Sequence, residues 1–529
     1  MSNSRSEQIY APNIHLFAFQ LRQGLSVDAP IPEISTAWVE ESYQKIADEF
    51  RITQPLSLRT DKPKSYQVNL LANTANQGRF YQNLSGEIDK NTGQTLPITG
   101  IAYPLQIGDS YALTLNLRRP QNQNQDEIDI DRLKSFNPEN CFSPHSVNSN
   151  LGQTLLITAF LDRDKQQQSL KELRKLAAQC LMAFFKLSDP EQCPPFYQDG
   201  YLFNSPIFEY GNPKQPNKYG HILVWFFFDE STSEKLRDCY WELPELLLYR
   251  HKIITAYQNS REDYLPAYNK IGEIEETLGD FKQKYLPPSE NAATAALPSS
   301  SSVQGSLPPA NGSLSTVATG NLDSNLNRNL SPVKSPNKKI LAETDLSELK
   351  FQLKELLRIS LEYSQLQRNL EYYQNTIEIN TYNYEQKLNQ IEELANSDIS
   401  FLKGFAQREC QTFKQQIQAD LRYFGQGYSL LDKAIATIRG LVEIDQAERD
   451  RQLQTTIAVI GVGIGAGGIF AASYAFIDKT AIELPAFSLP LKPLHPFAQS
   501  LLYSLLFSLF AGGVTFWLMR RIQKRKSKK

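Results

Sequence analysis

Apolar and polar positions follow two rhythms over the first 230 residues. Ile14–Leu21 (IHLFAFQL), Tyr66–Leu71, Arg79–Leu84 and Ile98–Leu117 read as strands, the last broken near Gly108. Between the first two of these, Trp38–Ile52 places Val39, Tyr43, Ile46, Ala47 and Phe50 at helical spacing. The order then returns. Leu155–Leu161 (LLITAFL) is strand-like, and Ser169–Leu187 is an amphipathic helix through Leu173, Leu176, Ala177, Cys180, Leu181 and Phe184. Tyr201–Tyr210 and His221–Phe228 are again strands. A β-α-β-β order in both halves predicts an α+β domain over residues 1–230, built from two related, ferredoxin-like lobes.

From residue 231 the period changes. Ile253, Tyr257, Ser260, Tyr264, Ala267, Ile271, Ile274, Leu278, Phe281 and Tyr285 alternate steps of four and three, which predicts a coiled-coil helix over 231–285. Pro266 lies inside it and predicts a kink. Residues 286–344 are rich in Pro, Ser, Asn and Gly and nearly lack aromatics, so they read as a disordered linker. A second coiled-coil segment is expected over 345–454. Leu349, Leu356, Tyr363, Leu370, Ile377, Tyr384 and Ile391 recur every seven residues. Ile417, Leu421, Phe424, Tyr428, Leu431, Ile435, Ile438 and Val442 resume the pattern after a break near Asn396–Ser397. The earlier helix, a partner protein or a second copy of the chain are the candidate partners for this column.

Two uncharged apolar stretches follow, Thr455–Ile477 and Pro496–Met519. Each is as long as the ~20 residues that span a bilayer. They predict a C-terminal two-helix transmembrane hairpin, 455–477 and 496–519, joined by an extracytoplasmic loop, 478–495. The tail 520–529 is basic. Arg520, Arg521, Lys524, Arg525 and Lys526 are read as topology or lipid head-group residues, which places both termini in the cytoplasm and the chain in the inner or plasma membrane. Gly463, Gly465 and Gly468 match the dinucleotide fingerprint G-x-G-x-x-G, but no βαβ unit follows. Gly461/Gly465 and Gly463/Gly467 fit small-residue helix packing better.

Composition adds limits. The 529 residues carry a formal net charge of −2, which gives no sign of nucleic-acid binding. Five scattered cysteines contain no C-x-x-C, and Cys141 with His145 forms at most half of a zinc motif. Asp162 and Asp164 form D-x-D after a strand, and Glu127, Asp129 and Asp131 alternate with isoleucines without the glycine of a calcium loop. Glu209, Tyr210, His221 and Trp225 are candidates to line one face between adjacent strands. No cofactor, metal or catalytic residue is assigned.

An α/β domain, a long helical stalk, two C-terminal apolar stretches and a basic tail are similar in layout to CorA-type magnesium channels. That family carries a Gly-Met-Asn signature after its first span. This chain reads AASYAFIDK there and has no Gly-Met-Asn, so no pore or metal residue is carried over. Two functional expectations follow. The first is a membrane-anchored, non-enzymatic sensor or interaction protein. The alternative is an oligomeric channel or transporter.

Overall fold

A computed structural model of the chain describes residues 7–22, 36–59, 65–72, 80–89, 95–120, 127–215, 219–285, 343–474 and 496–526. Two compact units emerge, Met1–Glu275 with Ile359–Ser429, and Glu276–Arg358 with Leu430–Lys529.

Ten strands build the first unit. They are β1 (Gln8–Leu21), β2 (Gln67–Asn69), β3 (Gln82–Asp89), β4 (Thr95–Ile107), β5 (Ser110–Arg118), β6 (Glu127–Asp129), β7 (Gly152–Phe160), β8 (Phe196–Leu202), β9 (Ser205–Tyr210) and β10 (His221–Phe227). They form one sheet in the order β2-β4-β5-β1-β7-β10-β9-β8, with β3 on β4 and β6 on β1. Central strand β1 is buried on both faces over residues 14–21, which explains its near-continuous apolar run. The two halves do share an order. In each, the first strand pairs with the last, and the preceding strands follow outward. Their senses differ, because β5 is antiparallel to β1 whereas β10 is parallel to β7. The expected pair of ferredoxin-like lobes is therefore corrected to a single mixed sheet, joined through the antiparallel pair β1–β7.

Helices cover both faces. Helices α1 (Ala37–Glu49) and α4 (Leu170–Phe184) bury Val39, Tyr43, Ile46, Leu173, Leu181 and their neighbours on one side. Ser169 and Glu172 close the start of α4 in a reciprocal capping box. Single turns α2 (Pro144–Val147) and α3 (Arg163–Gln166) lie in the connections. The other face carries α5 (Glu230–Cys239), α8 (Ser400–Gly404) and the first-unit portions of α6 (Leu243–Tyr285), α7 (Glu343–Ala395) and α9 (Gln411–Tyr474). One π-helical turn, Phe405–Cys410, joins α8 to α9.

The heptad columns meet within the chain. Helix α7 runs antiparallel to α6, with Asn369 donating to Asp263 at 3.1 Å and Lys270 pairing with Glu362 at 2.8 Å. Helix α9 runs parallel to α6, with Tyr257 stacked on Phe413 at 3.9 Å and Arg261 paired with Asp420. Every member of the sevenfold column Leu349 to Ile391 is buried. Helix α6 continues through Pro266 without ending. In the second unit, Lys284 bonds Glu348, and α10 (Pro496–Lys526) approaches α9. The linker expected over 286–344 lies outside the described residues up to 342.

The membrane expectation is corrected. Among the described residues no helix is long and apolar enough to cross a membrane. An uncharged run is not a uniformly apolar one. Gly461, Gly463, Gly465 and Gly468 lie in the first stretch, and Ser504, Ser508, Gly512, Gly513 and Thr515 lie in the second. The transmembrane hairpin and the inner- or plasma-membrane location lose their basis with it. The channel alternative depended on those spans and is not taken up again. The loop over 478–495 lies outside the described residues.

Two helical glycines give opposite expectations. A Cβ at Gly427 would fall 2.9 Å from the Tyr363 hydroxyl and 3.0 Å from Ile271, whereas one at Gly272 would meet nothing within 4 Å. Gly272→Ala should therefore raise stability by about 0.5–1 kcal/mol through helix propensity. Gly427→Ala should lower it by about 1–3 kcal/mol through overpacking. Opposite shifts in the midpoint of urea unfolding would check both.

Candidate functional site

Arg250, His251 and Lys252 interrupt the apolar start of α6, and all three are buried. Burying ionisable groups is costly unless each finds a partner, and each does. Arg250 donates to Glu209 Oε1 on β9 at 2.5 Å. His251 Nε2 lies 2.9 Å from Thr154 Oγ1 on β7. Lys252 pairs with Asp109 in the β4–β5 turn. The same Thr154 hydroxyl lies 2.8 Å from His221 Nδ1 on β10, and His221 Nε2 lies 3.1 Å from Glu209 Oε1. Gln198 on β8 donates to the second carboxylate oxygen at 2.6 Å. Phe405, in the π-helical turn, lies under the Arg250 guanidinium at 4.8 Å. Strands β8, β9 and β10 and helix α6 thus converge on one carboxylate.

Their charges settle accordingly. Burial works to raise the Glu209 pKa, but Arg250, His221 and Gln198 override it and hold the group down at about 2. Burial, reinforced by Arg250, lowers His221 to about 4 and pushes His251 well below its usual range. His15, on β1, is likewise lowered to about 3 by burial and by Arg118. Near neutral pH the cluster therefore holds one ion pair and uncharged imidazoles.

A cleft of about 300 Å³ opens onto this cluster at the ends of β7, β9 and β10. His221, Arg250 and His251 contribute to its lining, with Gln153, Asn212 and Gln258. Two of its turns need glycine. Gly152 has φ +101° and would drive a Cβ to 3.0 Å from the His251 ring, and Gly220 has φ +74° against the Gln153 carbonyl.

The order Glu209–His221–Thr154 has the appearance of an acid–base–nucleophile series, yet the geometry rules out that chemistry. Thr154 is fully buried within the sheet, and its oxygen is held between two imidazoles. No substrate carbonyl reaches it.

The structure sorts the candidates from the sequence. Glu209 and His221 come together, and Trp225 shares their face of the sheet, whereas Tyr210 points into the opposite core. Asp162 caps α3, accepting from the Lys165 amide at 2.7 Å, which accounts for the D-x-D pair. Glu127 and Asp129 lie on β6 and accept from Tyr10 and Gln8. Cys141 is buried and His145 is exposed. Among the described residues no group of three potential ligands could hold a metal. Of the four glycines on the packing face, Gly463 sits 3.1 Å (as a built Cβ) from the Ser508 carbonyl of α10. Gly461 and Gly465 meet nothing within 4 Å. Gly467 is helical. Sequence reasoning missed Thr154, Arg250 and His251. The signal for the last two was three adjacent ionisable residues inside the apolar run LLLYRHKII; Thr154 gave none.

Compared with protein-family models, curated proteins and solved structures, the chain matches none.

Two outcomes follow from the buried charges. Glu209→Gln leaves Arg250 buried without a counter-charge and should cost about 3–5 kcal/mol, while the double replacement Glu209→Leu with Arg250→Met should recover most of it. Urea unfolding of the single and double variants separates the two effects. Because the folded imidazoles hold pKa values below the usual 6.5, their contribution is fully present above about pH 6.5. It falls as pH drops toward 4, since the unfolded chain takes up protons first. The loss approaches ~1.4 kcal/mol per pH unit for each histidine. Urea midpoints at pH 7, 6, 5 and 4.5 check this.

Proposed function

We propose that this chain is a non-enzymatic sensor or interaction protein. A small neutral ligand rich in hydrogen-bond donors occupies the cleft, and helix α6 carries the response. The observation behind this reading is that Arg250 and His251 belong both to the cleft lining and to the start of a helix that runs 43 residues. Any occupant that moves their hydrogen bonds acts directly on α6 and on the heptad column that α7 and α9 share with it.

The class of ligand follows from the lining. Carboxamides from Asn150, Gln153, Asn212 and Gln258 and the hydroxyl of Thr255 face the cleft, and among the described residues no carboxylate does. The positive charge of Arg250 is cancelled by Glu209 at 2.5 Å. Two buried lining oxygens, Gln153 Oε1 and Ser149 Oγ, have no hydrogen-bond partner. Such groups favour hydroxyl and amide donors over ions.

Differential scanning fluorimetry of the full chain tests the reading. Glucose, glycerol and acetamide serve as neutral probes, with phosphate and acetate as ionic controls. At least one neutral probe should raise the melting temperature by a few degrees, in a concentration-dependent way, while the ions do not. Gln258→Phe, which fills the cleft, should abolish that shift and leave the probe-free melting temperature within a degree or two. Absence of any shift with the neutral probes, or a shift that survives Gln258→Phe, overturns the proposal.

A further inference from the structure

Helix α10 is arranged inside out. Ser504, Ser508, Ala511 and Thr515 form a half-buried column along it. This column faces α9, where a Cβ built on Gly463 comes 3.1 Å from the Ser508 carbonyl and 3.8 Å from Gly512 Cα. The large apolar side chains point elsewhere. Leu502, Leu505, Leu506, Leu509 and Phe510 are each 53–69% exposed. Contiguous apolar faces of this kind mark interaction sites.

The outer face has the period of a helix–helix seam. Leu502, Leu506, Leu509 and Gly513 follow at steps of four, three and four, on the side of α10 away from α9. A Cβ built on Gly513 meets nothing within 4 Å, so this member of the line leaves a gap. A second α10 laid antiparallel fills it. Leu502 of one copy then lies opposite Gly513 of the other, Leu506 lies opposite Leu509, and both pairs recur across the two-fold axis. Leu505 and Phe510 flank the seam on its two sides and meet in the same register. A parallel pair would set Gly513 against Gly513 and leave the gap open.

We propose that the chain forms a dimer in which two copies meet along an antiparallel α10 pair. Charge selects the same orientation. Residues 496–519 carry no ionised side chain, whereas Arg520, Arg521, Lys524, Arg525 and Lys526 crowd the C-terminal end of the helix. A parallel pair would bring the two basic ends together. The antiparallel pair sets each of them beside the uncharged start of the other copy. Size agrees as well. The five large side chains cover on the order of 500 Å² on each copy, which reaches the ~1,000 Å² in total that a specific interface needs. This inference goes beyond the cleft and does not depend on what the cleft binds.

Sedimentation velocity of the full chain tests the dimer. The unmodified chain should sediment as two copies of the 60.1 kDa chain. Leu506→Lys with Leu509→Lys should give a monomer. Both positions are exposed in the single copy, so helix content by circular dichroism should not change. Val514→Lys, exposed on another side of α10 and off the seam, should stay dimeric. Oxidative crosslinking tests the orientation, with the unmodified chain and its five native cysteines as the blank. A mixture of Leu502→Cys and Gly513→Cys chains should link one to the other. Neither should link to itself, because an antiparallel pair holds like positions there ~16 Å apart along the helix, too far for a disulfide. A monomeric unmodified chain, free or bound to lipid vesicles, a dimer that survives the two lysines, or self-linking of Leu502→Cys alone would each overturn the proposal.

Discussion

The Glu209 carboxylate is the point on which the first unit depends. It is buried on β9 and accepts from Arg250 on α6, His221 on β10 and Gln198 on β8. A buried charge tolerates few arrangements of its neighbours, because each missing donor leaves desolvated charge behind. Strand register, the position of α6 on the sheet and the rotation of α6 about its own axis are therefore fixed together. Apolar burial supplies most of the stability of such a unit. The ion pair selects one docking of helix on sheet from the many that would bury similar area.

The helices around this point follow a different logic. Helices α6, α7 and α9 meet along apolar columns that tolerate a few polar members, such as Ser260 and Asp420, each with a named partner. Position rather than composition decides the role of each glycine. Gly427 lies under Tyr363, and Gly463 of α9 lies against the backbone of α10, whereas Gly272, Gly279 and Gly440 face open space.

Much of this was legible in the chain and some was not. The strand at Ile14–Leu21, the helix at Ser169–Leu187 and the sevenfold column from Leu349 to Ile391 announced themselves through periodicity alone, because period and burial are directly coupled. The single sheet was not legible, because β-α-β-β order does not encode whether a returning strand lies parallel or antiparallel to the first. Of the site, Glu209 and His221 could be paired from adjacent strands. Thr154 could not, since a threonine inside LLITAFL reads as an ordinary β-former. Freedom from charge over Thr455–Ile477 and Pro496–Met519 was read as two membrane spans, whereas among the described residues no helix is long and apolar enough to cross a membrane.

The π-helical turn at Phe405–Cys410 carries a further consequence. Such a turn holds one residue more than an α-turn, and in a helix each residue advances the face by about 100°. This extra residue brings Phe405 beneath Arg250 and Glu409 beside Tyr197, while the column from Phe413 onward still faces α6. A chain lacking one residue there would keep its helix yet lose the match between its two ends. Helix length in this protein is therefore counted in whole residues against two separate surfaces, and a gap of one in an otherwise similar chain would mark a different alignment between them.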